Sequence, residues 1–281
     1  MTTPIWQAGR FRLNLSQPLV MGIVNATPDS FSDGGQHQSS TEALAHCETL
    51  LKQGADILDI GGESSRPGAP VLGAEEEWQR IGELVQEAVK WQVPISIDTY
   101  KTETMIRALD AGADIINDIR ALGSPGALDA IASHPSCGVC LMHMQGKPES
   151  MQEAPQYLDP VTEVRQFLSD RAQALIDKGV GRSRITLDPG YGFGKTPQHN
   201  LELWRRQAEL LELGFPLLIG WSRKSTLGVI TGKPVEQRLA ASLAAALASI
   251  QRGGRIIRVH DVAETVDAIK VWQAAGLLES T

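Results

Sequence analysis

The chain has 281 residues, 42% hydrophobic and 21% charged, with a net charge of −7. That composition is globular and sufficient for one α/β barrel or two smaller domains. The acidic balance excludes a general basic field for nucleic acid or anionic membrane, so an anionic ligand needs a local cluster of cations. In chain order, the opening MTTPIWQAGRFR has no apolar core behind a basic start and does not read as a secretory signal. Residues 1–18 contain a turn at Ala8-Gly9 and predict a small hairpin that closes the floor of the domain that follows.

From residue 19 to 281 short apolar runs alternate with longer amphipathic ones. Strands are expected at 19–27 (LVMGIVNAT), 56–62 (DILDIGG), 94–100 (PISIDTY), 114–119 (DIINDI), 138–143 (GVCLMH), 185–190 (ITLDPG), 216–222 (PLLIGWS) and 255–260 (RIIRVH). Helical patterns lie between them, among them STEALAHCETLLKQGA, EEEWQRIGELVQEAVKW, KTETMIRALDAGA and DPVTEVRQFLSDRAQALIDKG. Gly54, Gly112 and Gly179 close three of these helices, as a left-handed stop requires. The eight units predict a single α/β domain, a (β/α)8 TIM barrel whose parallel strands are buried on both faces. The run LAASLAAALASI (239–250) is too short to span a bilayer and reads as a packed helix. A soluble cytoplasmic protein is expected, with no nucleic-acid or membrane partner.

Three cysteines, Cys47, Cys137 and Cys140, are too few for a disulfide framework. The C-x-x-C formed by Cys137 and Cys140 runs into an apolar strand rather than opening a helix, so packed strand residues are expected there. The stretch LDPGYGFGKT (187–196) ends like a phosphate-binding loop, but Pro189 stands where that loop needs its first glycine. Proline has no N–H to give a phosphate.

In barrels of this kind the working residues gather at the C-terminal ends of the strands. Those ends carry Asn25, Glu63, Asp98, Asn117 with Asp118, His143, Asp188, Ser222 followed by Arg223 and Lys224, and Arg258 with His260. Asp118 and Asp261 read equally well as helix caps. Asp98 and Asp188 sit in apolar strand tails, where a carboxylate needs cations or ligand N–H donors, such as the adjacent N–H and NH2 of a heterocycle. The stretch SRKS (222–225), at an expected helix start, together with Arg258 and His260 forms a local cationic site suited to phosphate. The Gly-, Pro- and Ser-rich stretches after the first and second strands are either lids or ordinary solvent loops. No His-based metal motif occurs; Mg²⁺ bridging ligand phosphates is expected instead, with Asn25 as the residue touching it.

Taken together, MGIVNATPDSFSDGG (21–35), DIGGESSRPGA (59–69), ISIDTYK (95–101), INDI (116–119), LMHMQGKPESMQ (141–152), LDPGYGFGKT, SRKS and RVHDV (258–262) resemble the dihydropteroate synthases of folate biosynthesis from about residue 5 onward. The resemblance implies condensation of 6-hydroxymethyl-7,8-dihydropterin diphosphate with p-aminobenzoate, releasing diphosphate. It implies that Asp98, Asn117, Asp188 and Lys224 hold the pterin, and that Asn25, Arg258 and His260 hold the diphosphate with its Mg²⁺. Ser65, Arg66, Phe193 and Ser222 match the p-aminobenzoate region, and the loop glycines are expected to let Phe193 and Lys195 fold over that second substrate. Asp98, Asp188, Lys224, Arg258 and His260 are the implied catalytic set. Mg²⁺, Arg258 and His260 are expected to neutralise the departing diphosphate. Homodimers and sulfonamide binding are also implied.

The sequence departs from the family pattern at Ala26, Ser65, Tyr191 and Trp221. Trp221 either reshapes the p-aminobenzoate entrance or fills core behind the seventh strand. Three other readings stand beside this one: a P-loop NTPase, a barrel moving a methyl group from a folate to a corrinoid protein, and a non-catalytic pterin-binding barrel.

Overall fold

The computed structural model describes residues 4–26, 36–64, 71–146 and 151–277. Strands β1 (Ile5–Ala8) and β2 (Phe11–Asn14) form an antiparallel hairpin, Ile5 facing Asn14. Eight parallel strands follow: β3 (Leu19–Asn25), β4 (Ile57–Gly61), β5 (Ile95–Asp98), β6 (Ile115–Asp118), β7 (Gly138–Met142), β8 (Ile185–Asp188), β9 (Leu217–Ile219) and β10 (Gly254–Val259). They pair in chain order, and β10 returns to β3 to close a barrel. The helices are α1 (Gln36–Lys52), α2 (Ala74–Ala88), α3 (Thr102–Asp110), α4 (Ala127–Ser133), α5 (Pro160–Asp177), α6 (Pro197–Arg205), α7 (Ser225–Thr231), α8 (Leu239–Gln251) and α9 (Val262–Ala274). The expected TIM barrel is the observed one, with both α7 and α8 between β9 and β10.

Why these runs make a barrel is plain from burial. Ile95, Ile97, Ile115, Ile116, Val139 and Leu141 are all fully buried, which an open sheet with one wet face would not require. The main core lies between the strands and the helices. A second core fills the barrel's lower end, where Trp6, Ala8 and Leu15 of the hairpin segment pack against Met21, Ile57, Ile115, Cys140, Leu218 and Ile256. Trp6 Nε1 donates to the Arg184 carbonyl at 3.0 Å, and the Arg10 guanidinium donates to both oxygens of Asp114. The hairpin is therefore a hydrogen-bonded plug on the barrel floor.

Strand tails are shorter than the sequence patterns predict. β9 stops at Ile219 rather than at residue 222, because the chain turns there: Lys224 N–H donates to the Trp221 carbonyl, and Arg223 adopts φ 59°. Trp221 itself is 2% exposed. It stacks on Tyr191 at a centroid distance of 4.4 Å and lies 4.9 Å from Trp204. It fills core behind β9. The three cysteines are buried and unpaired. Burial raises both thiols of the C-x-x-C, and their place in and beside β7 is that of packed strand residues.

Candidate active site

At the upper end of the barrel the polar strand tails converge on Arg258. Its Nε donates to Asp59 Oδ2 and its Nη2 to Asp98 Oδ2, both at 2.6 Å. Asp59, fully buried on β4, also accepts from Ser96 Oγ at 2.6 Å and Asn117 Nδ2 at 3.1 Å. One carboxylate thus ties together β4, β5, β6 and β10. Asn117 spends its amide NH2 on Asp59, which leaves its carbonyl oxygen for a ligand donor. Arg258 likewise keeps part of its five-donor fork for an anion.

Asp59 was missed in the sequence. The signal was there: like Asp98 and Asp188 it interrupts an apolar strand, and an isolated buried carboxylate is costly.

Asp188 closes β8. Its Oδ1 accepts from Gly190 N–H at 2.7 Å, so the carboxylate is aimed by the turn that follows it. Burial raises its pKa, opposed by that N–H and then by the charges of Lys224, Arg258 and Lys195. Asp98 is raised chiefly by burial, with Arg258 pulling the other way and Asp59 adding to the rise. Lys224, the residue before α7, is lowered by burial and held up mainly by Asp188. Its Nζ lies 4.0 Å from the centre of the Phe193 ring. These residues form a cluster of two carboxylates, an amide carbonyl and an ammonium, with Phe193 beside it. Such a set accepts N–H and NH2 groups of a flat heterocycle and covers its face.

The loop Tyr191–Lys195 is shaped by its glycines. Gly190 has φ 68°, and a Cβ there would fall 1.9 Å from the His143 carbonyl oxygen. At Gly192, φ 81°, a Cβ would come 3.1 Å from Lys224 Cδ. Phe193 lies beside Lys224, whereas Lys195, expected to fold over the second substrate with it, turns away from the loop surface. Lys195 is 2% exposed and points inward. Its Nζ donates to the carbonyls of Gly190 (2.9 Å) and Phe193 (3.0 Å) and meets His143 Nδ1 at 2.9 Å. With the His143 carbonyl at 3.3 Å, the amine has four acceptors in reach, so this lysine staples the loop. His143 is occupied by that contact, and burial followed by the Lys195 charge pushes it down to about 2.

Several other strand-end residues also turn out to be structural. Glu63 binds Lys101 Nζ (2.6 Å), Tyr100 Oη (2.8 Å) and Leu72 N–H (2.9 Å). Asp118 accepts from the N–H groups of Arg120 and Leu122 and so closes the turn after β6; it does not cap a helix, since α4 begins at Ala127 behind Gly126. Arg223 pairs with Asp261 and so leaves the cation cluster.

His260 lies just past β10. Its Nδ1 is 3.0 Å from Ser222 Oγ, which also accepts from the His260 backbone N–H at 3.2 Å. Burial first, then Arg258 and Arg223, lowers its pKa to about 3. The ring is therefore neutral near pH 7 and does not carry the positive charge the sequence reading gave it. Asn25 ends β3 beside Gly61, half-buried, and its side chain has no hydrogen-bond partner among the described residues. Ser65 and Arg66, and most of the two loops read as lids, lie outside the described residues.

Sequence and fold comparisons identify the family. The profile of the pterin binding enzymes matches residues 21–260. Dihydropteroate synthase of Neisseria meningitidis serogroup B is 54% identical over 99% of both chains, and that of Escherichia coli is 48% identical over 93% of both. The chain belongs to the dihydropteroate synthase family. A Xanthomonas albilineans dihydropteroate synthase solved with 4-aminobenzoic acid superposes with a TM-score of 0.91 at 48% identity, covering 98% of this chain and 99% of that one. A Burkholderia cenocepacia dihydropteroate synthase complexed with 7,8-dihydropteroate gives 0.88 at 48% identity, covering 99% and 98%. Membership makes this dihydropteroate synthase fold a transferase.

Proposed function

We propose that this chain condenses 6-hydroxymethyl-7,8-dihydropterin diphosphate with p-aminobenzoate. The observation that carries the reading is the Asp98, Asn117, Asp188 and Lys224 cluster sharing Arg258 with Asp59, one assembly that joins a heterocycle site to an anion site. Asp188 and Asp98 accept the pterin's N–H and NH2 groups, Asn117 offers its carbonyl, and Lys224 donates to a ring acceptor. Arg258 and the N–H of His260 bind the diphosphate. The arylamine nitrogen forms its bond to the pterin methylene carbon as the carbon–oxygen bond to diphosphate breaks. The amine is neutral at pH 7 and its surplus proton leaves to water, so positioning and charge stabilisation dominate.

Mg²⁺ belongs to this proposal. Among the described residues no group of three or more His, Cys, Asp or Glu forms a metal cage. That fits a cation held mostly by diphosphate oxygens and water, with the unpartnered amide oxygen of Asn25 as its protein contact. When bound, Mg²⁺ neutralises charge on the leaving group.

For p-aminobenzoate, Phe193 supplies a ring face at the site. Because Ser222 is bonded to His260, the exposed hydroxyl of Ser225 and the first N–H groups of α7 supply donors for the carboxylate. Ser65 and Arg66 complete this assignment from the family pattern. Sulfonamides are proposed to bind the same place; a Yersinia pestis dihydropteroate synthase has been solved in a sulfonamide drug complex. We also propose a homodimer, supported by exposed Val229 and Ile230 on α7, Val235, and Leu239 at the start of α8. A cytoplasmic setting is supported by the unpaired cysteines. Among the described residues no helix is long and apolar enough to cross a membrane.

The test is diphosphate release on mixing protein, dihydropterin diphosphate, Mg²⁺ and p-aminobenzoate, omitting each in turn. Dihydropteroate formation that needs all of them is the expected result. Pterin binding without product would leave a binding barrel in its place.

A further inference from the structure

Ser222 is 8% exposed and sits between β9 and α7. Its Oγ lies within hydrogen-bond reach of two atoms of one residue, the backbone N and Nδ1 of His260. The backbone N–H only donates, so Oγ accepts there. The contact with Nδ1 then has two solutions. Either Nδ1–H donates to Oγ and Nε2 presents a lone pair, or the serine O–H donates to Nδ1 and Nε2 carries the proton. Burial opposes charging the ring, as do Arg258, Arg223 and Lys224, with Asp261, the partner of Arg223, acting the other way. A neutral ring facing an anion binds it only through N–H; a lone pair at Nε2 would repel a phosphate oxygen.

We infer that Ser222 is a positioning residue: its hydroxyl donates to Nδ1, locks His260 in the Nε2–H tautomer and aims that N–H at the diphosphate. That an anion faces Nε2 rests on the proposed function; the contact of Ser222 with Nδ1 does not. Ser222 thereby acts through His260, and its one proton is already committed.

The experiment is imidazole ¹⁵N–¹H correlation spectroscopy on ¹⁵N-histidine protein without substrate, the His260 signals assigned with His260→Asn. Wild type should show the Nε2–H tautomer; Ser222→Ala should show a tautomer mixture, and Ser222→Thr should restore the single form. Outright loss of one well-placed donor costs about 100-fold or more in turnover, so a partly populated donor in Ser222→Ala should lower kcat roughly tenfold, with the KM for p-aminobenzoate unchanged. An Nδ1–H tautomer in wild type overturns the inference, and that spectrum needs no variant to fold. An unaltered tautomer in Ser222→Ala, or an unaltered kcat, overturns it as well. Failure of the reaction itself would show separately, as absence of dihydropteroate from wild type.

Discussion

Arg258 on β10 and Asp59 on β4 are joined by a 2.6 Å hydrogen bond between Nε and Oδ2, and the carboxylate is fully buried. The same carboxylate holds Asn117, so the orientation of the anion-binding guanidinium and that of the pterin-facing amide depend on one residue. Asp59→Asn removes one of the two carboxylate partners of Arg258 while Asp98 remains, and should destabilise the fold by about 1–3 kcal/mol. Urea unfolding at unchanged m-value would read this. The KM for the pterin substrate should rise together with the loss of stability; a variant with wild-type stability and KM would remove Asp59 from the site.

Lys195→Met should keep the volume but leave the Phe193 and His143 carbonyls and His143 Nδ1 without this donor, while the Gly190 carbonyl keeps the Phe193 N–H. Unsatisfied buried acceptors cost about 1–3 kcal/mol each, partly offset by no longer burying an ammonium, so a net loss of about 2 kcal/mol is expected. Phe193 rides on the stapled loop. The KM for p-aminobenzoate should therefore rise more than pterin affinity falls, and steady-state kinetics beside calorimetric pterin binding separates the two.

Asp188→Ala and Lys224→Ala should each lose pterin binding by calorimetry. They are neighbours electrostatically, each the other's leading charge partner. The double variant should consequently lose less than the sum of the single losses.

Trp221 lies between Tyr191 and Trp204, and its Nε1 has no hydrogen-bond partner among the described residues. Trp221→Phe forfeits packing but no hydrogen bond, so a cost of about 1–2 kcal/mol is expected, below the usual cost of deleting a buried tryptophan. KM values for both substrates should stay at wild type. A selective change in the KM for p-aminobenzoate would put Trp221 back at the entrance.

His260 is held down to about 3 against an ordinary 6.5. As pH falls below 6.5 the unfolded chain takes up this proton and the folded chain does not, so stability is lost progressively toward pH 3. From about pH 7.5 to about pH 5.5, wild type should lose about 1 kcal/mol more stability than His260→Asn. The raised carboxyls of Asp98 and Asp188 act with the opposite sign, because the folded state binds their protons first. They are common to both proteins and cancel in the difference. Parallel stability curves for the two proteins would count against a buried neutral His260.

The sequence by itself determined the architecture. Eight apolar runs spaced by amphipathic helices admit few arrangements other than a closed parallel barrel, because each run must be covered on both faces. It also placed Asp98, Asn117, Asp188, Lys224 and Arg258 at strand ends, since strand ends are set by local pattern. What the tertiary structure decided was partnership. Lys195 lies inward, Arg223 turns to Asp261, Trp221 packs into the core, and Asp59 emerges as the hub under Arg258. His260 becomes a neutral ring rather than a cation. Most of these depend on which residues far apart in the chain come into contact and on how much water is excluded around them. Such contacts join positions as distant as 59 and 258, and no spacing along the chain encodes them.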